Sequence, residues 1–148
     1  MKEEFSEANW DKERWPNFSV KELRCSHTGE CWLDPVALDR LQGLRNKVGP
    51  LTITSAYRAP THPIEASKKD PDGNPRPGAH STGKAFDVHC SGQKALAVVT
   101  AALADDEGLA FTGLGVKQSG SRDKRFIHLD CIEAEDNFHV PRPTIWSY

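Results

Sequence analysis

The sequence predicts an α+β fold in a single domain, with helices flanking a largely antiparallel sheet, and three observations carry that prediction. One strongly periodic helix stands early, from Asp34 to Val48. Short β-branched or apolar runs follow, at Leu51–Ala56, Lys84–Cys90, Phe111–Val116 and Arg125–Ile132. The last two runs are joined closely enough for a hairpin, which favours antiparallel pairing. A chain of 148 residues is also of the size at which one core buries most of its apolar surface.

Taken in order, residues 1–16 read as a polar arm and 17–148 as the folded domain. Ser19-Val20-Lys21-Glu22 has the form of a capping box, in which the Ser hydroxyl and the Glu carboxylate satisfy free N–H groups at a helix start, so a short helix runs to about Cys25. Cys25–Cys31 reads as a loop because Ser26, Thr28 and Gly29 compete with regular backbone pairing. Asp34-Pro35 is an N-cap followed by proline at the first helical position. Val36, Leu38, Leu41, Leu44 and Val48 then recur at near-helical spacing up to a stop at Gly49. Leu51–Ala56 alternates as a strand. Ala59–Ala79 carries five prolines and a Pro-Asp-Gly-Asn turn, with room for a helical turn or two between Pro63 and Lys69. Lys84–Cys90 is a strand, Ser91 caps an Ala/Val/Leu helix to about Ala104, and two further strands complete the set.

Composition excludes several classes of function. With 37% hydrophobic and 27% charged residues and a mean hydropathy of −0.60, the chain is neither membrane-spanning nor disordered in character. A net charge of −2 and no interleaved basic and aromatic stripe argue against nucleic acid as a partner. Met1–Trp10 lacks the apolar segment of a signal peptide, so Sec-type export is not expected. Without export, Cys25, Cys31, Cys90 and Cys131 are expected as reduced, partly buried thiols.

Two segments hold the residues of a metal site. His80-Ser81-Thr82-Gly83-Lys84-Ala85-Phe86-Asp87 puts an imidazole at a loop end and a carboxylate in the following strand. In Phe126-Ile127-His128-Leu129-Asp130, alternation places Phe126, His128 and Asp130 on one strand face. Two imidazoles and a carboxylate leave a fourth zinc position for water, whose pKa zinc lowers to about 7.

Ser55-Ala56-Tyr57-Arg58, His80-x-x-Gly83-x-Ala85-x-Asp87 and Phe126-Ile127-His128-Leu129-Asp130 occur in the order and approximate spacing of the zinc D-alanyl-D-alanine carboxypeptidase family, which the chain resembles from about Phe18 to its C-terminus. Phe18-Ser19-x-x-Glu22-Leu23-x-Cys25 and Arg142-Pro143-x-x-Trp146-x-Tyr148 look like the branch found in phage lysins and small cell-wall peptidases. The resemblance implies the fold shared with the hedgehog signalling domain and zinc held by His80, Asp87 and His128. It also implies substrate contact by Arg58 and hydrolysis of peptidoglycan stem peptides, either as a carboxypeptidase or as an endolysin-type endopeptidase. A phage or prophage enzyme of this kind, expected as a monomer, reaches the wall by a holin or on the virion.

One departure from the family pattern concerns the general base. The better-known branches carry an acidic residue three positions before the last zinc histidine, where this chain has Arg125, and a guanidinium cannot deprotonate water. Asp130 is the expected replacement, or else a carboxylate that orients a ligand imidazole; Glu65, Asp123 and His139 are weaker candidates. His62 is read as a substrate contact or a turn cap, and His89 as a neighbour of the ligands. His27 with the cysteines is a remote candidate for a second metal site. The alternative from another functional class is a non-catalytic zinc-containing wall-binding or virion structural module, which Arg125 motivates.

Overall fold

The computed structural model describes residues 1–104 and 110–148. Its elements run β1 (Glu3–Glu4), α1 (Val20–Leu23), β2 (Trp32–Leu33), α2 (Pro35–Val48), β3 (Thr52–Ser55), α3 (Pro63–Ala66), β4 (Ala85–His89), α4 (Gly92–Leu103), β5 (Gly113–Lys117), β6 (Phe126–Asp130) and β7 (Thr144–Ser147). The expected α+β class holds. The larger sheet has the order β3-β4-β6-β5-β7; neighbours are antiparallel except β5 and β7, which pair in parallel, so this sheet is mixed. A separate antiparallel pair is formed by β1 and β2.

Period-two alternation divides the central strands into two faces. Phe86 and Val88 of β4, with Ile127 and Leu129 of β6, are fully buried and form part of the hydrophobic core. Helix α4 packs on β6 and against α2. The intervening residues of the same strands, Asp87, His128 and Asp130, therefore emerge together on the opposite face. Burial of both faces makes this placement strict, because a one-residue slip would exchange the core for the polar set.

Helix α2 begins as the sequence predicts. Asp34 accepts hydrogen bonds from the N–H groups of Val36 and Ala37 at 2.9 and 3.2 Å, and the chain leaves the helix through Gly49 at φ +86°. Its inner face differs by one position: Val36 is exposed, whereas Gln42 is buried and donates to the side-chain oxygens of Asn17 and Asn46 at 2.7 and 3.0 Å. The Ser19 hydroxyl caps α1 by accepting from Glu22 N–H, while Ser91 precedes α4 without a side-chain cap hydrogen bond.

The first sixteen residues are not a free polar arm. Phe5 and Trp15 are buried with ring centroids 5.4 Å apart, and Trp10 packs on both. Strand β1 pairs with β2, and Asp39 of α2 accepts from Trp15 Nε1 and, bidentately, from Arg14. Each large ring buries up to roughly 150–250 Å², worth at most about 4–6 kcal/mol, so three rings anchor a segment whose composition is otherwise acidic. All four cysteines are buried free thiols, and burial pushes those of Cys31 and Cys131 up to about 12.

Candidate metal centre

His80 sits in a 3-10 turn, Ala79–Thr82, that ends at Gly83. Gly83 adopts φ +78°, and a Cβ there would lie 2.6 Å from the carbonyl oxygen of Trp32, so this bend into β4 requires glycine. The turn is tied down on several sides: Asp34 N–H donates to Gly83 O at 2.9 Å, Ser81 Oγ donates to Arg58 O at 2.8 Å, and Lys2 Nζ reaches Ser81 O at 3.0 Å. Asp87 and His128 are direct cross-strand partners on β4 and β6.

The ligand atoms of His80, Asp87 and His128 lie within 4.8 Å of one another, and all three residues are buried. Nε2 of His80 is 3.2 Å from Asp87 Oδ2, and Nδ1 of His128 is 2.9 Å from Asp87 Oδ1. Both outer nitrogens face acceptors. His80 Nδ1 faces the carbonyl oxygen of Ala56 at 2.6 Å, and a carbonyl only accepts, so that nitrogen carries the hydrogen. His128 lies between two carboxylates, with Nε2 2.9 Å from Asp130 Oδ2 and Nδ1 2.9 Å from Asp87 Oδ1; with a cation at Nδ1, Nε2 is the nitrogen left to donate. In the neutral rings, two lone pairs are then directed at an anionic carboxylate. Three converging acceptors need either protons or a cation between them, and this donor set fits a divalent metal ion. Without a cation, the electrostatics favour the proton. Burial opposes charge on Asp87 and on His128, but their mutual hydrogen bonds, with those of His80 and Asp130, prevail; Asp87 is held well below the usual carboxylate range and His128 above the usual imidazole value.

Asp130 does not occupy the place expected of a base. Its side chain is fully enclosed, Arg142 donates to its two oxygens from Nε at 2.9 Å and Nη2 at 2.7 Å, His128 Nε2 lies 2.9 Å from Oδ2, and Ile132 N–H reaches Oδ1 at 3.4 Å. Burial disfavours its charge, yet Arg142 and His128 outweigh that and keep its carboxyl below the usual range. A carboxylate so engaged orients His128 rather than collecting protons from a cleft, and of the two expectations for Asp130 the geometry supports the orienting one.

Arg58 lies beside the cluster. Its Nη2 is 3.6 Å from Asp87 Oδ2 and its Nη1 is 3.1 Å from Glu65 Oε1. Glu65 is enclosed and also binds Lys68 and the N–H of Gly78, so it holds Arg58 rather than serving as a free base. His62 is not part of the metal cleft: it caps α3 by accepting from Ile64 N–H and lines a neighbouring polar recess with Arg58. Arg125 turns away and donates to Gly120 O, and Asp123 lies on an exposed 3-10 turn. His89 does not line the cleft, and His139 is an exposed residue whose charge is opposed by burial and by Arg76, Arg142 and Lys68. Among the described residues, His80, Asp87 and His128 alone gather as a metal-ligating group, so His27 and the cysteines form no second one.

The cluster opens into a cleft of about 470 Å³. Arg58 and Lys68 give it basic groups, while Phe126, Phe138, Trp146 and Tyr148 give it aromatic walls. Trp146 stacks on His128 with centroids 5.1 Å apart. Sequence reasoning did not identify strand β7, which supplies this wall, nor the two glycines of β5 that make room for the site. A Cβ on Gly115 would meet the Trp146 indole at 2.6 Å, and one on Gly113 would fall within 2.4 Å of the Asp130 carboxyl carbon. Their signal was the Gly-Leu-Gly alternation, two vacancies on one face of a strand. No family model, curated protein or solved structure matches this chain.

Proposed function

We propose that the chain is a zinc-dependent peptidase that hydrolyses peptide bonds in peptidoglycan stem peptides, with the fold and ligand set of the D-alanyl-D-alanine carboxypeptidases and the hedgehog domain. The observation that carries this reading is the convergence of His80 Nε2, Asp87 and His128 Nδ1 at the floor of a cleft, together with the motif order that places Arg58 beside them. A bound zinc ion supplies Lewis acidity, acidifying water and polarising a carbonyl oxygen. The chain's own groups do the rest. Arg58, pinned between Glu65 and Asp87, presents a fixed guanidinium to a peptide carbonyl or carboxylate. The aromatic walls shield the reacting bond from bulk water and bind the apolar parts of the peptide.

Zinc-loaded protein incubated with a stem pentapeptide ending in D-alanyl-D-alanine, followed by mass spectrometry, tests the activity. Loss of the terminal alanine identifies a carboxypeptidase, and internal fragments from whole muropeptides identify an endopeptidase. Intact peptide and intact walls across neutral pH would refute the reading.

One observation favours a second reading, a non-catalytic zinc-containing wall-binding or virion structural module. Asp87 is the one carboxylate among the described residues lining the cleft, and its strongly depressed pKa makes it a weak proton acceptor. Sedimentation with cell walls without release of amino groups would select this alternative.

A further inference from the structure

We infer that Arg142 is a positioning residue for the metal centre: through Asp130 it sets the ring orientation of His128, so that Nδ1 rather than Nε2 is presented to the metal. The inference concerns metal binding by the chain's own residues. It rests on the metal reading of the cluster but not on peptidase activity.

Arg142 lines the cleft, yet its side chain is only 4% exposed and its donors are engaged. Nε and Nη2 form a fork on Asp130, while Nη1 donates to the backbone oxygens of Val140 and Pro141 at 3.3 and 3.2 Å. The guanidinium carbon lies 5.2 Å from the Phe138 ring centroid and 5.3 Å from that of Trp146. A cation held this completely is not free to bind substrate. Nor is stability an adequate reason for it, because removing two charges from water costs about as much as their pairing returns. What the fork does fix is direction. A bidentate guanidinium sets the plane of the Asp130 carboxylate, and that plane brings Oδ2 to 2.9 Å from His128 Nε2.

The surroundings reserve this arrangement from two other sides. Strand β5 has no Cβ at Gly113, and the Asp130 carboxylate fills the vacancy. The Trp146 indole stacks on His128 and beside Arg142, limiting rotation of the ring. With Arg142 removed, Asp130 would keep only His128 and a 3.4 Å contact from Ile132 N–H and would lose its fixed plane, leaving the His128 ring less restrained.

The test is Arg142→Met, which keeps the length of the side chain and removes the fork, with Arg142→Lys as a conservative comparison and Gly113→Ala as an independent displacement of the carboxylate. Two readouts are needed. Long-range proton–nitrogen correlation spectra of the zinc-loaded protein report which nitrogen of His128 holds the metal. Competition with a chromophoric chelator reports the zinc Kd. The wild type should show zinc on Nδ1 and hydrogen on Nε2. Arg142→Met and Gly113→Ala should show mixed coordination through the two nitrogens and a zinc Kd raised roughly 10–100-fold, with Arg142→Lys between them and the wild type. A folded Arg142→Met protein with the same coordinating nitrogen and a Kd within about threefold of wild type would overturn the inference. If Arg142→Met fails to fold, Gly113→Ala decides by the same two readouts. A wild type that binds no zinc would overturn the metal reading and this inference with it, whereas zinc binding on Nδ1 without peptidase activity would reject the proposed function and leave the inference standing.

Discussion

Replacing Glu65 with Gln isolates the charge that holds Arg58 in place. Glu65 has no exposed side-chain surface; it pairs with Arg58 at 3.1 Å and with Lys68 at 3.1 and 3.2 Å, and accepts from Gly78 N–H at 2.6 Å. Removing one partner of a buried pair costs about 3–5 kcal/mol. Three features lower that figure: Gln preserves the volume, its carbonyl can still accept from Gly78, and Lys68, 41% exposed, can return to water. A loss of about 2–3 kcal/mol remains, which corresponds to a fall in Tm of about 4–12 °C for a domain of this size. The pH dependence gives a second handle. Burial opposes the charge of Glu65, but Gly78, Lys68 and Arg58 more than compensate, so its folded pKa lies below the ordinary value. A depressed pKa contributes stability above the unfolded carboxylate range and loses it as pH falls through the folded pKa. Protonated Glu65 is nearly isosteric with Gln, so the gap between the two proteins should close on acidification. Thermal melts followed by circular dichroism across acid to neutral pH measure both effects. Equal Tm values at neutral pH, or a gap that does not narrow in acid, would refute the assignment of Glu65 as the anchor of Arg58.

Three other outcomes follow from the same geometry. Zinc should raise the Tm of the wild type, by about 2.7 kcal/mol of stability at one hundred times its Kd, and Asp87→Asn should largely abolish that gain in the same scanning calorimetry. Asp34→Ala removes the cap of α2 and should cost about 0.5–2 kcal/mol in urea unfolding; an unchanged midpoint would show that the two N–H groups find other partners. Gly83→Ala combines a left-handed backbone with a contact against backbone, so a loss of more than about 1 kcal/mol is expected, together with weaker zinc binding as His80 shifts; retention of both would discount the bend as a determinant of the site.

What could be read from the chain alone was what repeats locally. Alternation in Phe126–Asp130 put His128 and Asp130 on one face, and Asp34-Pro35 with Gly49 bounded α2, because faces and caps depend on neighbouring residues. The partnership of Asp130 could not be read this way. Arg142 reaches it from a segment twelve positions later, and only the pairing of β5 with β7 brings that segment across. The amino-terminal rings were misjudged for a related reason: Phe5, Trp10 and Trp15 are too sparse to show periodicity, yet they meet in space. Gln42 shows the converse, a polar residue on the inner face of α2 that becomes tolerable once Asn17 and Asn46 accept its hydrogens.

The vacancies in β5 have a consequence for how the sheet opens. Glycine is a poor strand former, and Gly113 and Gly115 leave this strand little intrinsic preference for extended structure. Its order is borrowed from β6 on one side and β7 on the other, with Thr144 N–H donating to Thr112 O and Tyr148 N–H to Val116 O. Release of the β7 edge would therefore loosen the strand that shelters Asp130. In amide hydrogen exchange the two strands should open as one cooperative unit at lower free energy than the β4–β6 pair, so that a local fluctuation at the sheet edge sets how often the orientation of His128 is lost.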